Sequence, residues 1–212
     1  MSFAHDEFMA DWRDVREATG VDRRIQQREY DLVMSAIQGR YRPTPAPASP
    51  WARPEPSWLA EARKHMGKAE VPGPKHSPFV LGLWNLLGRP YTDDKTPWCG
   101  GFVGYCLRQA MPGMALPKVP ERALAWADWG KSSGPAVGAI AVFGRTGGGH
   151  VGFAVGQRSD AIYVLGGNQA NAVNIMPIKK DRLVGFRWPA SLPSPPAGLP
   201  PMTGGTVSRN EA

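Results

Sequence analysis

Cysteine is scarce in this chain: Cys99 and Cys106 are the only two among 212 residues. Both fall in a stretch with helical character, where their spacing corresponds to ~10 Å at 1.5 Å per residue. Bridged Cα atoms lie within ~7 Å, so this pair forms no disulfide and both are free thiols. Long apolar runs are also missing, and none approaches the ~18–20 residues that a membrane helix needs. The opening MSFAHDEFMADWRDVREATG has no basic start, apolar run or small-residue cleavage site, so no secretory signal peptide is expected. Histidine is sparse, and His5, His65, His76 and His150 show no HExxH-type spacing. A zinc hydrolase is therefore disfavoured, and no metal or cofactor is expected. No run of five or more Lys/Arg occurs, and no nucleic-acid motif accompanies the net charge of +7, so no nucleic-acid partner is expected.

That charge is unevenly placed. Residues 1–40 hold eight acids and six bases, while the remainder holds 19 bases and 10 acids. A basic body suits an anionic partner such as a cell envelope.

Composition divides the chain into four parts. Residues 1–41 have helix-like apolar spacing broken at Gly20 and Asp22, which predicts a short helical segment. Residues 42–57, RPTPAPASPWARPEPS, hold six prolines and read as a semi-rigid linker. Residues 58–190 carry most of the apolar content and form the expected globular domain. Residues 191–212, with Pro193, Pro195, Pro196, Pro200 and Pro201, are expected to be a disordered tail.

Within the domain, helices are expected after a Ser57 cap, over about 76–87, and along TPWCGGFVGYCLRQA, with Thr96 as cap and Pro97 in the first turn. Strands are expected at 138–143, 150–156, 161–166 and 184–188. Helices first and antiparallel strands afterwards predict an α+β fold.

Cys99 then falls in the first turn of this helix, where unpaired amides and the dipole favour a thiolate and lower the thiol pKa. Gly100 and Gly101 each cost ~1 kcal/mol of helix propensity relative to alanine, which is explained if a backbone or substrate approaches closely there. Cys106, two turns on, reads as core.

His150 follows three glycines and starts a strand whose face also carries Gly152 and Ala154. The strands 150–156 and 161–166 are close enough for a hairpin through QRSD. Pairing Phe153 with Leu165 places His150 opposite Asn168. Asn168 can then fix the imidazole tautomer, completing nucleophile–base–orienter logic. It can equally shape a turn after Gly166 and Gly167, leaving Gln169 and Asp160 as other candidates. Trp98, Gly100, Asp94 and Gln169 are candidates for lining the substrate groove or the oxyanion site, with Trp98 alternatively a core anchor.

The segments DDKTPWCGGFVGYCL, GGGHVGFAVG and VLGGNQANAV resemble a phage and prophage family of cysteine hydrolases allied to the CHAP domain and, more remotely, to NlpC-type peptidases. The resemblance covers about 58–189. It implies a papain-like α+β domain in which a helix headed by cysteine packs on a small antiparallel sheet. It also implies cleavage of a peptidoglycan amide bond, by a cysteine endopeptidase or a muramoyl-alanine amidase. Cys99 matches the nucleophile, His150 the base, and Asn168 the asparagine after the third strand. Two positions depart from the pattern: Gly166 stands where many CHAP domains carry glutamate, and Ala139 where aspartate is usual.

The expected biology is that of an endolysin made in the host cytoplasm and acting at the wall after release or injection. A delivered antibacterial amidase and a virion-associated wall-binding module are the alternatives. The segment 1–41 suits attachment to a virion or envelope partner.

Overall fold

The computed structural model describes residues 55–208 and Glu211. The helical segment expected over 1–41, and all but the last three residues of the 42–57 linker, lie outside these residues.

Helix α1 (Ser57–Arg63) begins with Ser57 as its first helical residue, because Pro56 takes the cap position at φ −56°, ψ 139°. Its buried face is Trp58, Leu59 and Ala62, and the Trp58 indole N–H donates to the Gly138 carbonyl at 2.8 Å. Helix α2 (Pro78–Leu86) follows Ser77, with proline in the first turn, where a missing amide costs nothing. It buries Val80, Leu83 and Trp84. Helix α3 (Cys99–Ala110) is buried over most of its length, from Cys99 to Gly104 and again at Cys106 and Leu107. Among the described residues, no helix is long and apolar enough to cross a membrane.

A 3₁₀ turn (Ala123–Asp128) leads into the strands β1 (Lys131–Ser133), β2 (Ile140–Arg145), β3 (Gly148–Gln157), β4 (Ala161–Gln169), β5 (Ala172–Lys179) and β6 (Leu183–Trp188). They form one antiparallel sheet in the order β1-β6-β2-β3-β4-β5. The α+β expectation therefore stands, with two strands more than the sequence pattern suggested. The short β1 carries no hydrophobic residue. In β5, Pro177 interrupts the pattern, as fits a strand at the end of the strand order.

Helix α3 lies across β3 and β4. Gly167 makes this approach possible, since a Cβ there would stand 2.5 Å from the Trp98 ring and 2.7 Å from Phe102 Cβ.

The segment after β6 is not the disordered tail its composition suggests. Pro200 O accepts from the Gln157 amide and the Met202 amide donates to Gln157 O, both at 2.9 Å. Leu199 is buried, and the Ser208 amide donates to Pro177 O at 2.9 Å. Proline removes its own amide but leaves its carbonyl as an acceptor, so Pro-rich chain can still run beside a strand and partner its exposed groups.

Candidate active site

The loop before α3 is held by two adjacent aspartates. Asp93 accepts from the amides of Lys95 at 2.7 Å and Thr96 at 2.6 Å. Thr96 is thus tied back into this turn and does not cap α3. Trp98 occupies the cap position, and Cys99 is the first helical residue. Asp94 accepts from the Val71 and Ser77 amides, each at 2.8 Å, and pairs with His76 Nδ1 at 3.2 Å. Burial works to raise its pKa, but these bonds outweigh burial and hold the carboxyl well below the usual range.

The Trp98 ring is fully buried and its N–H donates to Glu70 at 3.1 Å. Trp98 thus fits its alternative reading as a core anchor, and Asp94, a candidate for the substrate groove, is buried in the framework that fixes the approach to Cys99. Gly100 is buried framework too. A Cβ on it would lie 2.3 Å from Pro120 O, and one on Gly101 would lie 2.6 Å from the Trp84 ring. The helix accepts two glycines so that the 120–121 backbone and an indole can close on its first turn. Glu121 holds that backbone in place through Arg89 and, at 3.1 Å, the Tyr91 hydroxyl.

The Cys99 side chain faces β3. Cys99 is only 6% exposed, and the backbone amides near its sulfur are those of Val151, Gly100 and Cys99 itself. Burial pushes the thiol up, against the opposing pull of those amides and of Arg145. The lowered pKa expected from the helix terminus alone is thus reversed by desolvation. Cys106, fully buried, is pushed up further by burial, as a core thiol should be.

Val151 adjoins His150 in β3, the strand against which α3 packs. His150 lies opposite Phe143 in the β2–β3 ladder and is 2% exposed. Burial lowers its pKa to about 4, offset in part by the Glu211 carboxylate and the hydrogen bond to Gln169.

Among the described residues, the imidazole's side-chain partner is Gln169, with Oε1 3.0 Å from Nε2, and not Asn168. The reason lies in the β4–β5 ladder. Gly166 pairs with Asn174 and Gln169 with Ala172, so β4 holds one residue more than β5 across this interval. An extra residue flips the alternation of the strand. Asn168, at φ 55°, heads a run in which Ala170 (φ 51°) and Asn171 (φ 61°) are also left-handed. The register expected from the hydrophobic pattern holds at Phe153–Leu165 and Ala154–Val164, then shifts before Gly156–Tyr163. Gly152 admits the close approach of β4, since its Cβ would meet Val164 Cγ1 at 2.5 Å.

Glu211 adjoins this end of the sheet. Its carboxylate takes two bonds from Arg182, at 2.7 and 2.8 Å, and its carbonyl accepts from the Ala170 amide at 2.7 Å. Arg182 Nε donates in turn to Gly144 O at 3.1 Å. Nothing in the sequence pattern signals these two residues, which lie in stretches with no catalytic motif. Two hollows lie elsewhere, one of about 730 Å³ beside Met111, Leu116 and Trp129 and one of about 550 Å³ beside Trp58, Val155 and Trp188. Neither is lined by a cysteine or histidine, so chemistry and not volume singles out Cys99 and His150. Among the described residues, no group of three His, Cys, Asp or Glu is placed to hold a metal ion.

No curated protein matches the chain. Residues 91–168 match the CHAP domain, which supports a hydrolase of the peptidoglycan amidase or peptidase type.

Proposed function

We propose that this protein cleaves an amide bond of peptidoglycan by Cys–His acyl transfer, and that it serves as a phage endolysin acting at the wall after release from the cytoplasm. The observation that carries the reading is the approach of the Val151 amide to the Cys99 thiol. It joins the first residue of a helix to the neighbour of a buried histidine, inside the segment that matches CHAP.

The thiol and imidazole are both neutral in the closed arrangement, since burial raises the pKa of one and lowers that of the other. The proton therefore moves during attack: it passes from Sγ to Nδ1 of His150 as sulfur bonds to the carbonyl carbon. The first free amides of α3, beginning with that of Cys99, are the available donors for the resulting oxyanion. The imidazolium then protonates the leaving amine. Water, deprotonated by His150, finally releases the acyl group from sulfur. Cys99 and His150 are almost closed to solvent, so substrate binding must open the site. The basic character of the chain after residue 40 favours approach to an anionic wall.

The test is loss of turbidity and release of free amino groups from purified peptidoglycan. Wild type should produce both, and a folded Cys99→Ala variant should lose at least ~10³-fold in rate. Equal rates would remove Cys99 from the mechanism.

A further inference from the structure

We infer that Gln169 is the positioning residue of His150 and that Asn174 fixes the orientation of Gln169, a chain that rests on the reading of His150 as the base. The carboxamide nitrogen of Gln169 donates toward Asn174 O at 2.7 Å, Asn174 Oδ1 at 2.9 Å and Val164 O at 3.2 Å. Asn174 Nδ2 returns a bond to Gln169 O at 2.7 Å. Two of the three acceptors are main-chain carbonyls, which cannot donate, so the amide cannot be flipped without setting oxygen against oxygen. Oε1 must face the imidazole, and Oε1 only accepts. Nε2 of His150 therefore carries the proton and Nδ1 keeps its lone pair for the thiol proton.

Gly166 completes the device. A Cβ there would stand 2.8 Å from Gln169 Oε1 and 3.1 Å from His150 Nε2. The oxygen of Gln169 thus occupies space that any side chain at 166 would contest. The polar partner arrives from the far side of the strand bulge and not from position 166. Because the Gln169 nitrogen is needed for two carbonyls, a carboxylate is not an equivalent replacement at 169.

The test reads the His150 ring by ¹⁵N NMR at neutral pH, alongside steady-state kinetics on peptidoglycan fragments. Wild type should show the Nε2–H tautomer. Gln169→Ala should lose that preference and lower kcat ~10²-fold with KM within about threefold, the scale of one acid–base positioning effect. Asn174→Ala should shift the tautomer less and cost about tenfold in kcat. Gln169→Glu should not restore activity. Should Gln169→Ala fail to fold, Gly166→Ala crowds both Gln169 Oε1 and His150 Nε2 and should give the same tautomer change. An unchanged Nε2–H tautomer in folded Gln169→Ala or Gly166→Ala overturns the proposal, and full activity in Gln169→Glu overturns the role of Asn174. A wild-type protein inactive on peptidoglycan whose tautomer still responds as described upholds the positioning chain and refutes the hydrolase reading alone.

Discussion

Gln169 Oε1 lies 3.0 Å from His150 Nε2, on neighbouring strands whose simple alternation would bring Asn168 there instead. One extra residue in β4 makes the difference. The pair is buried, with His150 2% and Gln169 0% exposed, so water does not compete for the bond. The geometry ties the proposed catalysis, the stability and the pH response to the same few atoms.

Acid should destabilise the fold through His150. Its folded pKa, about 4, lies below the unfolded value of 6.5, so the unfolded chain binds the proton first. Stability should fall as pH drops from 6.5 toward 4, by ~3 kcal/mol in all, and this contribution should level off below pH 4. Urea unfolding across that range reads the slope. His150→Gln should flatten it, and an unchanged slope in that variant would contradict the assignment.

The two thiols should separate chemically. Cys99 is slightly exposed and has backbone amides nearby that favour its thiolate, whereas Cys106 is fully buried among apolar groups. Iodoacetamide should label Cys99 first, with a rate that still climbs above pH 8 because burial raises its pKa. Peptide mapping after partial alkylation decides the order. Faster labelling of Cys106 would be inconsistent with the structure.

Glycine-to-alanine exchanges should have opposite effects on two helices. Gly100→Ala drives a Cβ to 2.3 Å from a fixed carbonyl and should cost about 1–3 kcal/mol. Gly82→Ala in α2 meets nothing within 4 Å and should gain up to ~1 kcal/mol from helix propensity. Thermal melts of both variants test the pair.

Ending the chain at residue 190 should weaken the domain, although all the proposed site residues lie before it. The cut removes Leu199, the Pro200 and Met202 bonds to Gln157, and the Arg182–Glu211 pair. Compared with a chain running from 55 to 212, the shorter form should melt several degrees lower, since ~1 kcal/mol moves the midpoint by roughly 2–8 °C across this size range. Identical melting would mean that the segment after β6 rests on the sheet without stabilising it.

Much of this arrangement is legible in the sequence, for definable reasons. Hydrophobic periodicity marks the three helices and four of the strands; Pro97 in the first turn suffices to place Cys99 near a helix start, and the glycines before an alternating run place His150 on a strand. Three things escape it. The bulge before Gln169 carries no sequence signal stronger than two glycines and an asparagine, and a one-residue shift exchanges Asn168 for Gln169. Asp94 has the residue type of a binding groove, and only its burial and its bonds to the Val71 and Ser77 amides show that it holds the loop. The stretch after 190 has a disordered composition, yet carbonyls of Pro177 and Pro200 serve as acceptors where the segment meets the sheet.

The central claim is that Cys99 forms a covalent acyl intermediate with the substrate. Wild-type protein mixed with soluble peptidoglycan fragments, quenched in acid within the first turnover and digested, should yield the Cys99 peptide carrying the mass of the acyl fragment as a thioester. The Cys106 peptide should stay unmodified, and Cys99→Ala should give neither adduct nor product. Product formation by Cys99→Ala, or an adduct on another residue, would contradict the mechanism.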